Sequence, residues 1–173
     1  MSDTPLRLRV QMALTQVFES IHPGNQYTHD LRGKVFRGRL MFGDSDPLPL
    51  VSILETPIAP DQLPQPVDST VSNGEWDLLI QGFVEDDKAH PTDPAHYLMA
   101  EVKQALAIAR EKPEVDRQKT GEASHLLGIK EVTRLQIGAG TVRPADEISA
   151  TAYFWLNITL GLAEDLLSPY EDS

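Results

Sequence analysis

In residues 5–21 (PLRLRVQMALTQVFESI), Leu6, Val10, Ala13, Leu14, Val17 and Ile21 recur at three- and four-residue steps, the stripe of an amphipathic helix. Thr4 suits the cap and Pro5 the first helical position. Pro23 and Gly24 stop the helix. From Lys34 the period changes to two, with Phe36, Leu40 and Phe42 on one face and Arg37 and Arg39 on the other, which predicts a strand. Gly43-Asp44 through Pro47 form a turn. LPLVSILE (48–55) is short, β-branched and bounded by prolines, so a hairpin with the preceding strand is expected.

Residues 56–74 hold Pro57, Pro60, Pro64 and Pro66 among Asp, Ser, Asn and Gly, with no periodic apolar face. A long loop of this kind is functional or mobile. EWDLLIQGFVE (75–85) alternates as a strand, with Trp76, Leu78, Ile80 and Val84 inward and Glu75, Asp77, Gln81 and Glu85 outward. Asp93-Pro94 then opens a second helix whose stripe of Ala95, Leu98, Val102, Ala105, Leu106 and Ala109 runs to about Arg110. Pro113 and Gly121 break residues 111–130, leaving one helical turn at SHLLG. Strands follow at 131–137 and from about Ser149 to Leu162. The expected fold is α+β: one domain over 1–173, two helices on one face of a mainly antiparallel sheet, in the order helix, three strands, helix, two strands. A mobile proline-rich loop at 56–74 and a frayed acidic tail at 167–173 complete it.

Composition narrows the function. The chain has 173 residues, enough for one real core, and no cysteine, which removes thiolate nucleophiles, Cys-ligated zinc and iron–sulfur clusters. No apolar run approaches the roughly 20 residues that span a bilayer, and the N-terminus has no signal-peptide core, so a soluble, cytoplasmically made product is expected. The formal net charge of −11 argues against a general nucleic-acid-binding surface. It is unevenly placed: residues 1–43 carry +3 and residues 44–173 carry −14. Such a division suits self-complementary association or a solvated surface.

Catalytic patterns are weak. His90 and His96, near Asp86, Asp87 and Asp93, allow a His/carboxylate metal site to be drawn, but the spacing matches no zinc signature, and surface residues are the commoner outcome of so loose a match. Glu75 and Asp77, about 7 Å apart on one strand face, could act as a glycosidase pair, yet no aromatic groove accompanies them. Gly138-Ala139-Gly140 lacks the third glycine and the helix of a dinucleotide loop and reads as a turn. The cluster Arg32, Lys34, Arg37 and Arg39 could hold phosphate, but Phe36 falls on the opposite face, so the pattern of an RNA-binding sheet is missing.

The N-terminal helix, the segment VFRGRLMFGDSDPLPLVSILE (35–55), EWDLLIQGFVEDDKAHPTDPAHYLMAEVKQAL (75–106) and YFWLNITLGLAEDL (153–166) together resemble the tail-terminator family of long-tailed phages over nearly the full length. The resemblance implies a non-enzymatic virion protein, assembled in the host cytoplasm without cofactor. It would form a ring, usually a hexamer, that caps the tail tube, stops its polymerisation and meets the head connector while DNA passes through. On that reading Arg32, Lys34, Arg37 and Arg39 belong to a subunit interface. Glu75, Asp77, Glu85, Asp86 and Asp87 form an acidic lumen or partner face that repels phosphates, and Pro57, Pro60, Pro64 and Pro66 mark the assembly loop. Another neck or head–tail joining protein, or a His/carboxylate metal enzyme, remains the alternative.

Overall fold

The computed structural model describes residues 3–170. The protein is α+β. Helices α1 (Leu6–Glu19) and α2 (Asp93–Thr120) cover one face of a six-stranded mixed sheet built from β1 (Val35–Arg37), β2 (Leu50–Glu55), β3 (Val71–Phe83), β4 (Val132–Ile137), β5 (Thr141–Arg143) and β6 (Tyr153–Asp165). The order is β1-β2-β3-β6-β4, with β5 also on β6. Between sheet and helices lies the main core, where Val10, Leu14 and Phe18 of α1 and Leu98, Val102 and Leu106 of α2 meet Ile53, Leu78, Ile80, Phe154, Leu156 and Ile158. The positions expected inward on β3 (Trp76, Leu78, Ile80, Val84) and the Phe154–Leu160 alternation of β6 are buried, but Gln81, expected outward, is buried too (7% exposed), and Tyr153 is fully buried against Phe83 on the helix-free face.

The expected hairpin is not formed. β1 pairs with β2 in parallel, Val35 opposite Val51 and Arg37 opposite Ile53. The reason is Gly38, whose φ of +69° turns the chain out of the sheet after three strand residues. Residues 38–49 then cross the helix-free face and return to the start of β2, a link of the length a parallel connection needs. Phe42 and Leu48 pack there on Leu50, Phe83 and Tyr153, with Phe36 and Trp155. Leu40, expected inward, is 69% exposed.

α2 continues through Pro113 to Thr120 instead of ending near Arg110. Proline costs the helix a bond to the carbonyl four residues back. The extension compensates with Lys112–Asp116 (2.6 Å) and Arg117–Glu114 (2.7 Å) ion pairs, and it closes with the Gly121 N–H on the Arg117 carbonyl (2.8 Å). No residue after Leu106 is buried in it, so the last turns project about 20 Å along the surface. Capping also differs: α1 and α2 begin at N-caps Pro5 and Thr92 without side-chain capping bonds, so neither Thr4 nor Asp93 caps.

Gly138-Ala139-Gly140 is a bulge within the sheet, not its end. β4 pairs Ile137 with Ile158, and β5 resumes with Thr141 opposite Trp155, so one extra residue sits on the edge. Gly140, with φ +75°, lies where a Cβ would come within 2.7 Å of Met99 Sδ on α2. The positive φ and the close approach of α2 to this edge together explain the glycine.

β3 and β6 pair along their whole lengths, from Val71 opposite Asp165 to Phe83 opposite Tyr153, about 40 Å. β3 thus begins four residues before the expected strand, and β6 runs past Leu162. β2 accompanies only Leu78–Phe83. From Val71 to Asp77, apart from a Thr56 N–H on the Asp77 carbonyl (3.3 Å), the edge on the β2 side has no strand partner among the described residues. Beyond β6, the Leu166 N–H reaches the Thr70 carbonyl (2.8 Å). Residues 171–173 of the expected frayed tail lie outside the described residues.

Candidate assembly surfaces

The basic cluster does not share one face. Arg32 lies on Asp30 (2.5 Å), and this pairing drives the Asp30 carboxyl well below its ordinary range. Lys34 is half-buried, with no ion pair among the described residues. Arg37 points toward the helices and donates to Thr15 Oγ1 (2.8 Å). Arg39 lies on the helix-free side with its guanidinium over Phe36 and Phe42, 4.9 and 4.6 Å from their centroids. The strand parity that separated Arg39 from Phe36 fails because the chain is no longer extended beyond Arg37.

Arg39 is a clamp for its own loop. It reaches both oxygens of Asp46 at 2.8 Å and the Met41 carbonyl at 3.2 Å. Asp46 also accepts the Gly43 N–H (2.7 Å). That N–H and then Arg39 hold the Asp46 carboxyl below its usual value. Ser52 Oγ, fully buried, donates to the Arg39 carbonyl at 2.6 Å and ties the loop to β2.

The acidic residues divide into two groups, Glu75 and Asp77 in the middle of β3 and Glu85, Asp86 and Asp87 just past its C-terminal end, roughly 25–30 Å apart by strand rise. Glu75 pairs with Arg134, and Asp77 accepts the Thr159 hydroxyl (2.6 Å) on the helix-free face. A glycosidase pair is therefore not available, since each carboxylate has its own neighbour. Beyond β3, Asp86 accepts the Ala152 N–H, and Asp87 accepts those of His90 (2.7 Å) and Ala89 (2.9 Å), which lower its pKa. Glu85 lines a cleft of about 300 Å³ with Leu40, Asp44, Asp46 and Ile148. Asp86 and Asp87 hold the turn into α2 through these backbone bonds, and all three carboxylates of the second group are exposed.

His90 and His96 are both exposed, one in the turn and one in the first turn of α2. Among the described residues, no group of three or more His or carboxylate side chains is placed to hold a metal ion. No helix among them is long and apolar enough to cross a membrane.

Pro57, Pro60, Pro64 and Pro66 are all exposed, with a short 3-10 turn at Pro60–Gln62. Their loop carries exposed Ile58, Leu63 and Val67 and leads into exposed Val71. Because Leu166 bonds back to Thr70, exposed Leu166 and Leu167 join the same end of the molecule. Two further anchors escaped sequence reading. Asp146 accepts the Tyr153 hydroxyl at 2.8 Å, and that bond, followed by the Ile148 N–H, lowers its pKa. Glu101 accepts from Thr28 N–H (2.6 Å) and sits 2.6 Å from His29 Nδ1, tying the loop after α1 to α2. Both are partnerships between distant segments, which no local spacing encodes.

No protein-family model matches the chain, and no curated protein matches it.

Proposed function

We propose that this protein is a ring-forming virion subunit of the tail-terminator kind, without catalytic activity or cofactor. Six copies would cap the tail tube, end its growth and present the opposite surface to the head connector. The observation that carries the reading is the distal end of the β3–β6 pair. There an edge without a strand partner, a proline-rich loop and a cluster of exposed apolar side chains coincide. Exposed edges and contiguous apolar patches are liabilities unless a partner covers them. Prolines discourage indiscriminate strand addition while leaving side chains available to a specific neighbour. The acidic excess supports a lumen that DNA passes without adhering, because surplus carboxylates deny phosphates their cationic contacts.

Electron micrographs of the purified chain, alone and mixed with growing tail tube protein, test the proposal. The expected result is uniform rings and tubes that stop elongating with one ring at the end. Particles that neither form rings nor arrest tube growth would overturn it, and binding to the connector alone would reassign the protein to the neck.

A further inference from the structure

We infer that the open stretch of β3 is a strand-addition site: it takes one extended segment of the tail tube subunit, whose backbone bonds to Asn73 and Glu75 and whose central side chain enters the space above Gly74. The inference rests on the tail-terminator reading, and it names how that partner is held.

Backbone direction fixes the site. The Asp77 carbonyl points away from β6, because it accepts the Thr56 N–H (3.3 Å). Strand alternation turns the N–H and C=O groups of Val71, Asn73 and Glu75 the same way, while those of Gly74 face Leu162 of β6. Val71 is already served, since the Ser69 hydroxyl accepts its N–H (3.1 Å) and donates to its carbonyl (3.0 Å). Between these two closed ends, Asn73 and Glu75 keep both backbone groups without a backbone partner among the described residues. Donors and acceptors repeating at two-residue spacing are matched by an extended backbone.

There is room for a side chain as well. A cleft of about 430 Å³ lies between this stretch and Pro64 and Val67, with Arg7, Trp76 and Leu162 in its wall. Apart from its chain neighbours, no atom lies within 4 Å of the place where a Cβ on Gly74 would stand. The residue of an added strand opposite Gly74 projects its side chain on that same face. A large apolar side chain there would lie across Gly74 beside Trp76.

This chain does not supply such a segment. β2 fills the same lane from Leu78 onward, and residues 57–66 carry four prolines, which cannot complete a ladder. A second copy presents β1 and β4 only as edges backed by their own sheet, too broad for a notch one strand wide beside residues 64–69. Its run from Leu166 is interrupted by Pro169. A lone segment of a different chain fits the notch.

Asn73→Pro removes only an outward N–H, because the ladder to β6 runs through Ser72 and Gly74, and proline is tolerated at such edge positions. Its melting curve should match that of the unaltered chain, while its binding to assembled tail tubes, read by cosedimentation, should fall by about tenfold or more. Asn73→Ala should bind as the unaltered chain does. Gly74→Leu, built into open space, should fold and lose binding equally, and it decides alone if Asn73→Pro does not fold. Unchanged tube binding by either folded variant would overturn strand addition and leave the tail-terminator reading intact. Rings that form without tubes and are lost in these variants would give the edge to a second copy and overturn the tube as its occupant. Failure of the unaltered chain to bind tubes would overturn both.

Discussion

The two ends of the β3–β6 pair share one ladder and differ in everything around it. At the Phe83–Tyr153 end, β2 extends the sheet, helices cover one face, and residues 38–49 cover the other. A chain of rings Phe36–Phe42–Phe83–Tyr153–Trp155 runs there with centroids 5.2–5.9 Å apart. At the Val71–Asp165 end the same backbone pairing continues and Leu160 and Leu162 still reach the core on the helix side, but Val71–Glu75 are exposed or half-buried and the helix-free face carries solvent-facing polar pairs such as Glu75–Arg134. Hydrogen-bonded length alone therefore does not secure a strand pair. Burial of side chains on both faces does, because a net hydrogen bond is worth only about 1 kcal/mol whereas a buried aromatic is worth several.

The largest expected effect separates the ends directly. Phe83→Ala, at a site only 5% exposed, should cost about 3–5 kcal/mol. The loss of melting temperature should be about 10 °C. Val71→Ala at the open end should change stability by less than about 0.5 kcal/mol. Urea titrations of both variants check this, and equal losses would erase the distinction.

Acid should act next, through the loops of the covered end. Asp46 and Asp146 anchor the two loops there, and both carboxyls are held below their ordinary pKa by hydrogen bonds to the ionised form. Their folded pKa values are depressed, so their contribution is fully present above the unfolded carboxyl range near pH 4 and is lost as pH falls below it. Near-ultraviolet circular dichroism of the ring cluster should weaken below about pH 4 before the far-ultraviolet signal does. Simultaneous loss of both signals would contradict this ordering.

The smallest effect on stability belongs to the loop. Removing residues 61–66 should alter stability by less than about 0.5 kcal/mol, since loop length enters only logarithmically. Its melt should stay cooperative while tail termination is abolished. A broadened melt would show that the loop is part of the core.

What the sequence made legible follows the same division. The inward faces of β3 and β6, and the stripe of α1, were readable because each is one-sided and buried, so periodicity and packing agree. The parallel β1 was not readable. Phe36, Leu40 and Phe42 mimic alternation, but Gly38 ends the extended chain before Leu40, and only the long-range packing of Phe42 on Phe83 selects the crossover. The partners of Arg37 and Arg39 were hidden for the same reason: Thr15 lies in another element, and the rings under Arg39 belong partly to the loop itself. Pro113 misled because a solvated helix tolerates one missing bond when ion pairs surround it. The acidic residues were legible as types, but their partners were not, because Arg134 and Thr159 reach Glu75 and Asp77 from other strands and Ala152 reaches Asp86 from the segment before β6. The proline-rich loop was legible as a loop. Its apolar neighbours at Leu166 and Leu167 were not, because only the antiparallel return of β6 brings them together.

Hydrogen–deuterium exchange on the free chain and on the assembled ring tests most directly whether one end maintains the fold and the other receives the partner. Amides of Leu78–Phe83 and Tyr153–Ile158 should exchange slowly in both states, whereas those of residues 56–70 and the amides of 71–77 on the open edge should exchange quickly in the free chain and become protected on assembly. Protection of those amides already complete in the free chain, or unchanged exchange there after assembly, would contradict the account.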